Sequence, residues 1–475
     1  MHNSKLLRVL RQFTKSERKS LQSFVQSVYH CHNKKISTLL IHFIETIDND
    51  TNNDDLKFER SFIWAQISPK ESFNYDYLRK IASDSIKIIE EFMIIEQLKK
   101  DVNVKTHLLL ENSKNRDSSL LQEIAIDRYE QNKSLFFSRR NSVNIYNTQI
   151  LKNLFILKDF DKVRYQESGI DQIIFELDKF YITEKLKLLC DLLSRNWDLD
   201  ITNFTLFNNI LDLIANNSSY NVPSILVYYY IYLTISYPEE VDHYYKLKDT
   251  LLKHYHEFDS YEAKSIFDAT VSYGIGRINS GDTTFLRETF ELYQQGLVNG
   301  MLVYNNKIDS YNFKIIVVIG LRLAEYTWIE YFIESYKDMI PDEERENTVS
   351  YNLSTLYFYK KDFNKVLSLL QQIEYEDLTY NLGAKSMLLA TYYELDEFEP
   401  LHSLLDSFKV FLNRKKAKIP SSTITNYQNL IKFTRRLLSV NAGDETSLNK
   451  LEADINKSEG VASIKWLREK IDQLR

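Results

Sequence analysis

Ten glycines and six prolines are spread over 475 residues, about 3% of the chain where an average protein carries roughly 12%. These two residues end helices and make tight turns, so a chain with so few of them is confined to long helices and short connections. Strands also need frequent turns, together with alternating runs of Val, Ile and Thr, and such alternation is hard to find here. The expected fold class is therefore all-α. At 44% hydrophobic the chain can bury a substantial core, enough for two to four domains or one extended repeat array. The high Tyr and Phe content, 32 and 27 residues, accompanies abundant Asn, Ile and Lys. AT-rich codons would give that mixture, so it carries little functional information.

Cys31 and Cys190 are the only cysteines, which argues against a disulfide framework and for a reducing compartment. Lys5, Arg8 and Arg11 punctuate the amino terminus, with no uninterrupted apolar stretch or small-residue cleavage site of the kind a secretory signal needs. The longest uncharged run, PSILVYYYIYLTISYP from Pro223 to Pro238, is shorter than the roughly 20 apolar residues of a membrane span. It reads as a buried core helix, and the expected location is cytoplasmic.

Apolar spacing divides the chain into an N-terminal basic helical module at 1–100, a helical-hairpin repeat array at 101–440 and capping helices at 441–475. In the first module, Leu6 to Phe13 mark a short helix, and Ser16 with Lys19 opens a second carrying Leu21, Phe24, Val25 and Val28. A third runs from about Lys34 through Ile36, Leu39, Leu40, Phe43 and Ile47, followed by a polar loop at Thr51–Asp55. Leu78, Ile81, Ala82, Ser85, Ile89, Phe92 and Ile95 form one stripe of a long helix. Ile86, Ile88, Met93 and Ile94 widen it, predicting burial on more than one side. In the array, Ile225–Tyr237 pairs with Val241–Tyr255, and Ala263–Ile278 with Phe285–Leu297.

Three segments align further on: LRLAEYTWIEYFIESY from Leu321, LYFYKKDFNKVLSLLQ from Leu356 and TYYELDEFEPLHSLLD from Thr391. Trp328, Phe363 and Phe398 then fall in one column, expected to be partly or fully buried at the start of the second helix of each pair, and Tyr331, Val366 and Leu401 in another. A period near 34 residues with an aromatic after a charged turn resembles the tetratricopeptide repeat, and YYELDEF at 392–398 is similar to that family's inter-helix turn. Val366, Ile373, Leu401 and Phe408 stand where the family has small residues, which implies looser or differently angled pairs. The resemblance implies an α-solenoid of stacked antiparallel helix pairs, in which the first helix of each pair lines the concave face. The N-terminal hundred residues are similar to an uncharacterised family of bacterial helical proteins, through NKKISTLLIHFIE at 33–45, Trp64, FNYDYLRK and SDSIKIIEEF through Phe92. That resemblance brings no activity with it.

Catalytic, metal and phosphate-binding signatures are not found, and no cofactor is expected. His30, Cys31 and His32 are adjacent, so they point in different directions, and no second ligand cluster accompanies them. Gly274, Gly276 and Gly281 lack the lysine and preceding strand of a phosphate cradle, and read as a helix end and turn. Asp342, Glu343 and Glu344 follow Pro341 and suit a helix first turn. RKKAK at 414–418 reads as a loop after a helix. Residues 1–40 hold eight Lys and Arg against Glu17 alone, in a chain of net charge −6.

The expected function is a non-enzymatic helical-repeat scaffold or adaptor for a protein or peptide partner. Its contact residues would be those the repeat alignment leaves outside the core: Tyr351, Thr355 and Tyr359 in one pair, and Ser386, Tyr393 and Glu394 in the next. The alternative is a nucleic-acid-associated regulator that uses a basic surface of Lys5, Arg8, Arg11, Lys15, Arg18 and Lys19.

Overall fold

The computed structural model describes residues 1, 4–49, 55–116, 119–136, 145–156, 169–195, 207–370 and 378–475. Among these residues there are 23 α-helices and no strand, apart from one isolated bridge between Tyr304 and Lys307. No helix among them is long and apolar enough to cross a membrane. The chain divides into two compact units, Met1–Glu184 and Lys185–Arg475, the second beginning inside the helix Ile170–Ser194.

In the first unit, helices Lys5–Gln12, Lys15–Gln26, Lys34–Asp48, Arg60–Ile67 and Tyr75–Lys100 enclose a core that runs from Leu6 to Phe92. Side-chain caps set their starts. Ser4, Asn33 and Asn74 each accept a backbone amide of the first turn, satisfying donors that a helix otherwise leaves open. The second helix starts at Thr14 rather than Ser16, because Thr14 and Glu17 form a reciprocal capping box. That helix ends at Gln26, so Val28 lies beyond it and is 75% exposed. The stripe Leu78, Ile81, Ala82, Ser85, Ile89 and Phe92 is buried as its spacing implies. Ile86 and Ile88 are partly buried against the same core and widen the stripe, whereas Met93 and Ile94 are exposed, so the widening stops short of the helix's far end. A smaller core of Leu110, Ala125, Tyr129 and Ile150 follows, pinned by a buried 2.8 Å hydrogen bond from the Asn103 amide to Asn147 Oδ1.

In the second unit, successive helices pack on their neighbours in the chain and on the next but one. Pro223–Ser236 packs on both Val241–His254 and Ser260–Asn279, Ser310–Arg322 on both Tyr326–Tyr336 and Asp342–Tyr359, and the last of these on both Phe363–Leu370 and Leu378–Glu394. Four turns share one closure. Ala324, Lys361 and Asp396 take left-handed backbone at φ 61°, 59° and 58°. The next residue's amide reaches back five positions, Glu325 to Gly320, Asp362 to Tyr357 and Glu397 to Tyr392, each at 2.9 Å. This satisfies the carbonyls left open at a helix C-terminus and starts the next helix at Tyr326, Phe363 or Phe398. Gly281 does the same after Ser260–Asn279, with Asp282 donating to the Arg277 carbonyl at 3.0 Å.

These turns correct the sequence alignment. The step from Ala324 to Lys361 is two residues longer than that from Lys361 to Asp396, so Tyr326, not Trp328, matches Phe363 and Phe398. Three residues into each helix, Ile329, Val366 and Leu401 are fully buried, whereas Tyr331 is 65% exposed. Phe398, expected at least partly inside, is 45% exposed because the residue that opens the helix sits at its rim. Of the bulky residues set against the family's small ones, Ile373 lies outside the described residues. Small residues do occur where paired helices meet, though at other positions. A Cβ on Gly320 would lie 2.5 Å from Ile329 Cδ1, and one on Gly296 would lie 2.5 Å from the Phe267 ring. Gly274 and Gly276 lie in the last two turns of the helix Ser260–Asn279 and Gly281 in the turn that closes it, the helix end and turn expected of them. Helices Glu445–Asn456 and Ile464–Leu474 share a core with residues 382–437, contributing Leu448, Leu451, Ile455, Trp466, Leu467 and Ile471.

Candidate binding groove

The surface expected to hold a partner is largely interior. Tyr351, Thr355 and Ser386 are buried. Tyr351 lies edge-on to Tyr380 at 4.8 Å, with Lys314 Nζ 5.1 Å above its ring, and the Thr355 hydroxyl donates to the Tyr351 carbonyl at 2.9 Å. The reason is the position of Asp342–Tyr359, which carries other helices on more than one face. Ser386, Tyr393 and Glu394 meet the C-terminal segment. Ser386 Oγ is 2.9 Å from Ser463 Oγ, Tyr393 is edge-on to Trp466 at 5.4 Å, and Glu394 accepts Trp466 Nε1 at 2.9 Å and Lys470 Nζ at 2.6 Å. Of the six residues only Tyr359 is exposed.

In the N-terminal basic set, Lys5, Arg8, Arg11, Lys15 and Lys19 are exposed. Arg18 is not part of that surface. Its guanidinium meets Asp48 at 2.6 Å and donates to the Phe13 carbonyl, joining helix ends. His30 stacks on Phe24 at 4.1 Å, Cys31 is buried and His32 is exposed, so the triplet does not converge. Among the described residues no group of three or more His, Cys, Asp or Glu side chains is placed to hold a metal ion.

A concave site does exist, in the second unit and earlier in the chain. Its volume is about 740 Å³, within the range of ligand pockets. Lys187, Cys190, Asp191 and Ser194 enter from the end of Ile170–Ser194, at the three- and four-residue spacing that places them on one helix face. Tyr228, Ile231 and Ile235 come from Pro223–Ser236 in the same way. The third wall is Ser260–Asn279, which presents Tyr261, Glu262, Ser265, Asp268, Ala269 and Ser272. Ser265, Ala269 and Ser272 are short, so they leave space where larger side chains would have filled the gap between helices.

Local chemistry fixes the third wall. Asp259 caps its helix, accepting the Glu262 amide at 2.8 Å, which sets Tyr261 and Glu262 in the first turn at the mouth. Glu262 receives Lys187 Nζ at 2.6 Å and the Tyr228 hydroxyl at 2.9 Å, and Lys187 also lies 5.1 Å over the Tyr228 ring. Deeper, Asp268 accepts Lys264 Nζ at 2.6 Å and the Asn312 amide at 3.4 Å. Burial nevertheless holds the Asp268 carboxyl above its ordinary range, with Lys264 opposing the shift. The Cys190 thiol is pushed up to about 12, first by burial and then by the neighbouring Asp191 charge. It donates toward the Tyr228 carbonyl at 3.4 Å and is a packing residue rather than a nucleophile. Asp191 is exposed and makes no ion pair among the described residues.

The lining thus carries four carboxylates, Asp191, Asp259, Glu262 and Asp268, against the single ammonium of Lys187. Sequence reasoning missed the site. One local signal was present, Asp259 followed three residues later by Glu262, which marks a helix start. Convergence of three helices was not readable from it.

The fold and groove define an all-helical protein with an acidic, tyrosine-edged concavity. Comparison with known protein families, with curated proteins and with solved structures finds no match to this chain.

Proposed function

We propose that this chain is a non-enzymatic, cytoplasmic helical-repeat scaffold or adaptor that binds a protein or peptide partner. The observation that carries the reading is the recurrence of one helix-closing turn at Gly281, Ala324, Lys361 and Asp396, with helices packed on next-but-one neighbours beside an open groove. Stacked helix pairs that cannot bury their apolar faces alone build extended concave surfaces, and such surfaces suit peptides. The solenoid arrangement, and with it the likeness to tetratricopeptide repeats, is part of this proposal. So is the move of the partner surface from Tyr351, Thr355, Tyr359, Ser386, Tyr393 and Glu394 to the groove at Lys187–Tyr273.

The test is affinity capture from native cells with the wild-type chain and with Tyr261→Ala, whose side chain is 67% exposed at the groove mouth. A partner retained by the first and depleted at least tenfold by the folded second supports the reading, and equal recovery rejects it. The exposed cations Lys5, Arg8, Arg11, Lys15 and Lys19 support a second reading as a nucleic-acid contact. For it, binding to a duplex should fall steeply with salt as phosphate contacts release counterions.

A further inference from the structure

We infer that the groove formed by helices Ile170–Ser194, Pro223–Ser236 and Ser260–Asn279 takes an extended partner segment bearing lysine or arginine side chains. This rests on the adaptor reading above and specifies the chemistry of its partner. Of the four carboxylates in the lining, Glu262 is matched by Lys187 at 2.6 Å and Asp268 by Lys264 at 2.6 Å. Asp191 and Asp259 line the groove, exposed and without a cation among the described residues, at the ends of two different helices. Two cationic side chains, one for each of these carboxylates, complete the balance, whereas acidic ones would add further like charge to an already negative concavity.

The shape of the lining suits the same occupant. Beside the carboxylates the lining holds Ile231, Ile235 and Ala269, with the Tyr228 ring buried and that of Tyr261 exposed. Short apolar walls with aromatic edges accept the methylene stem of a lysine or arginine, and an exposed Tyr ring offers its face to the cationic head. A helix lying in the site would need a longer apolar strip than these residues give. An extended segment needs only an alternation of cationic and small side chains.

The probe is a fluorescein-labelled octapeptide of alternating Ala and Arg, titrated by fluorescence anisotropy into the full chain, with Ala–Gln and Ala–Glu octapeptides alongside. Three proteins are compared: wild type; D191N with D259N, in which asparagine keeps the helix cap; and E346Q with E399Q, which removes two exposed charges elsewhere. The Arg peptide should bind wild type, lose about tenfold in the groove variant, as two exposed charge pairs would give, and be unchanged in the control variant. Equal losses in both variants would mean attraction to net charge alone and would overturn the inference. If the Ala–Gln or Ala–Glu peptide is held instead, and Tyr261→Ala releases it, the adaptor reading stands and the cationic partner is wrong. If none of the three peptides binds the folded protein, both fall.

Discussion

Ile329 and Tyr331 separate the structural register from the alignment written at a fixed step. The alignment equates Tyr331 with Val366 and Leu401, but the closing turns equate Ile329 with them, and Ile329 is fully buried against Gly320 while Tyr331 is 65% exposed. Ile329→Ala deletes three buried carbons, about 2.4 kcal/mol at roughly 0.8 kcal/mol each. Since the facing Gly320 has no side chain to move into the space, the residual cavity adds up to about 1 kcal/mol. The expected loss is about 3 kcal/mol. Tyr331→Ala removes a mostly solvated ring and should cost under about 0.5 kcal/mol. Urea unfolding followed by circular dichroism reads both, because a loss of that size lowers the midpoint by roughly 0.5 to 1 M in a unit this large without changing the slope. Equal midpoints for the two variants, or a larger shift for Tyr331→Ala, would refute the register.

Ala324 holds a left-handed backbone that costs a non-glycine residue about 1 kcal/mol, so Ala324→Gly should raise the midpoint, and a lowered one would show that the closure is not strained. The Glu17 carboxyl is held below its ordinary range by the Thr14 amide and then by the Thr14 hydroxyl. A depressed carboxyl contributes stability that is present above about pH 4.5 and lost as pH falls through its folded value. Thr14→Ala, which leaves the amide in place, should move the Glu17 titration part of the way back up by carboxyl-carbon NMR. With its thiol pushed up to about 12, Cys190 should resist iodoacetamide at pH 8 until the protein is denatured; labelling of the folded chain at the rate of a free cysteine would contradict its burial.

Helix class and many helix positions were legible because they follow from local rules. The scarcity of Gly and Pro excluded sheets, and the stripe from Leu78 to Phe92 identified its own buried face. Pro341 with three acids marked the start of Asp342–Tyr359, and the tyrosine-rich run at 223–238 became a helix with Ile225, Val227, Tyr228, Ile231 and Tyr232 inside. Two kinds of information were not local. Helix faces cannot be sorted into wall and core when most positions are apolar or aromatic, and Tyr351 was misread for that reason. A groove also depends on what fails to fill it. Ser265, Ala269 and Ser272 look like neutral helix residues in sequence, and they gain meaning only when Asp191 and Tyr228 are brought opposite them by residues far along the chain.

The most direct measurement on the binding groove is site-specific photo-crosslinking in the native cell, with benzoylphenylalanine at position 261 or at position 331. Both native tyrosines are well exposed, at 67% and 65%, so accessibility is matched and only location differs. A groove that holds a partner yields a discrete adduct from 261 and none from 331, and Asp191→Asn weakens it. Matching adducts from the two positions, or none from 261 with the protein folded and expressed, would contradict a partner-binding groove at this site.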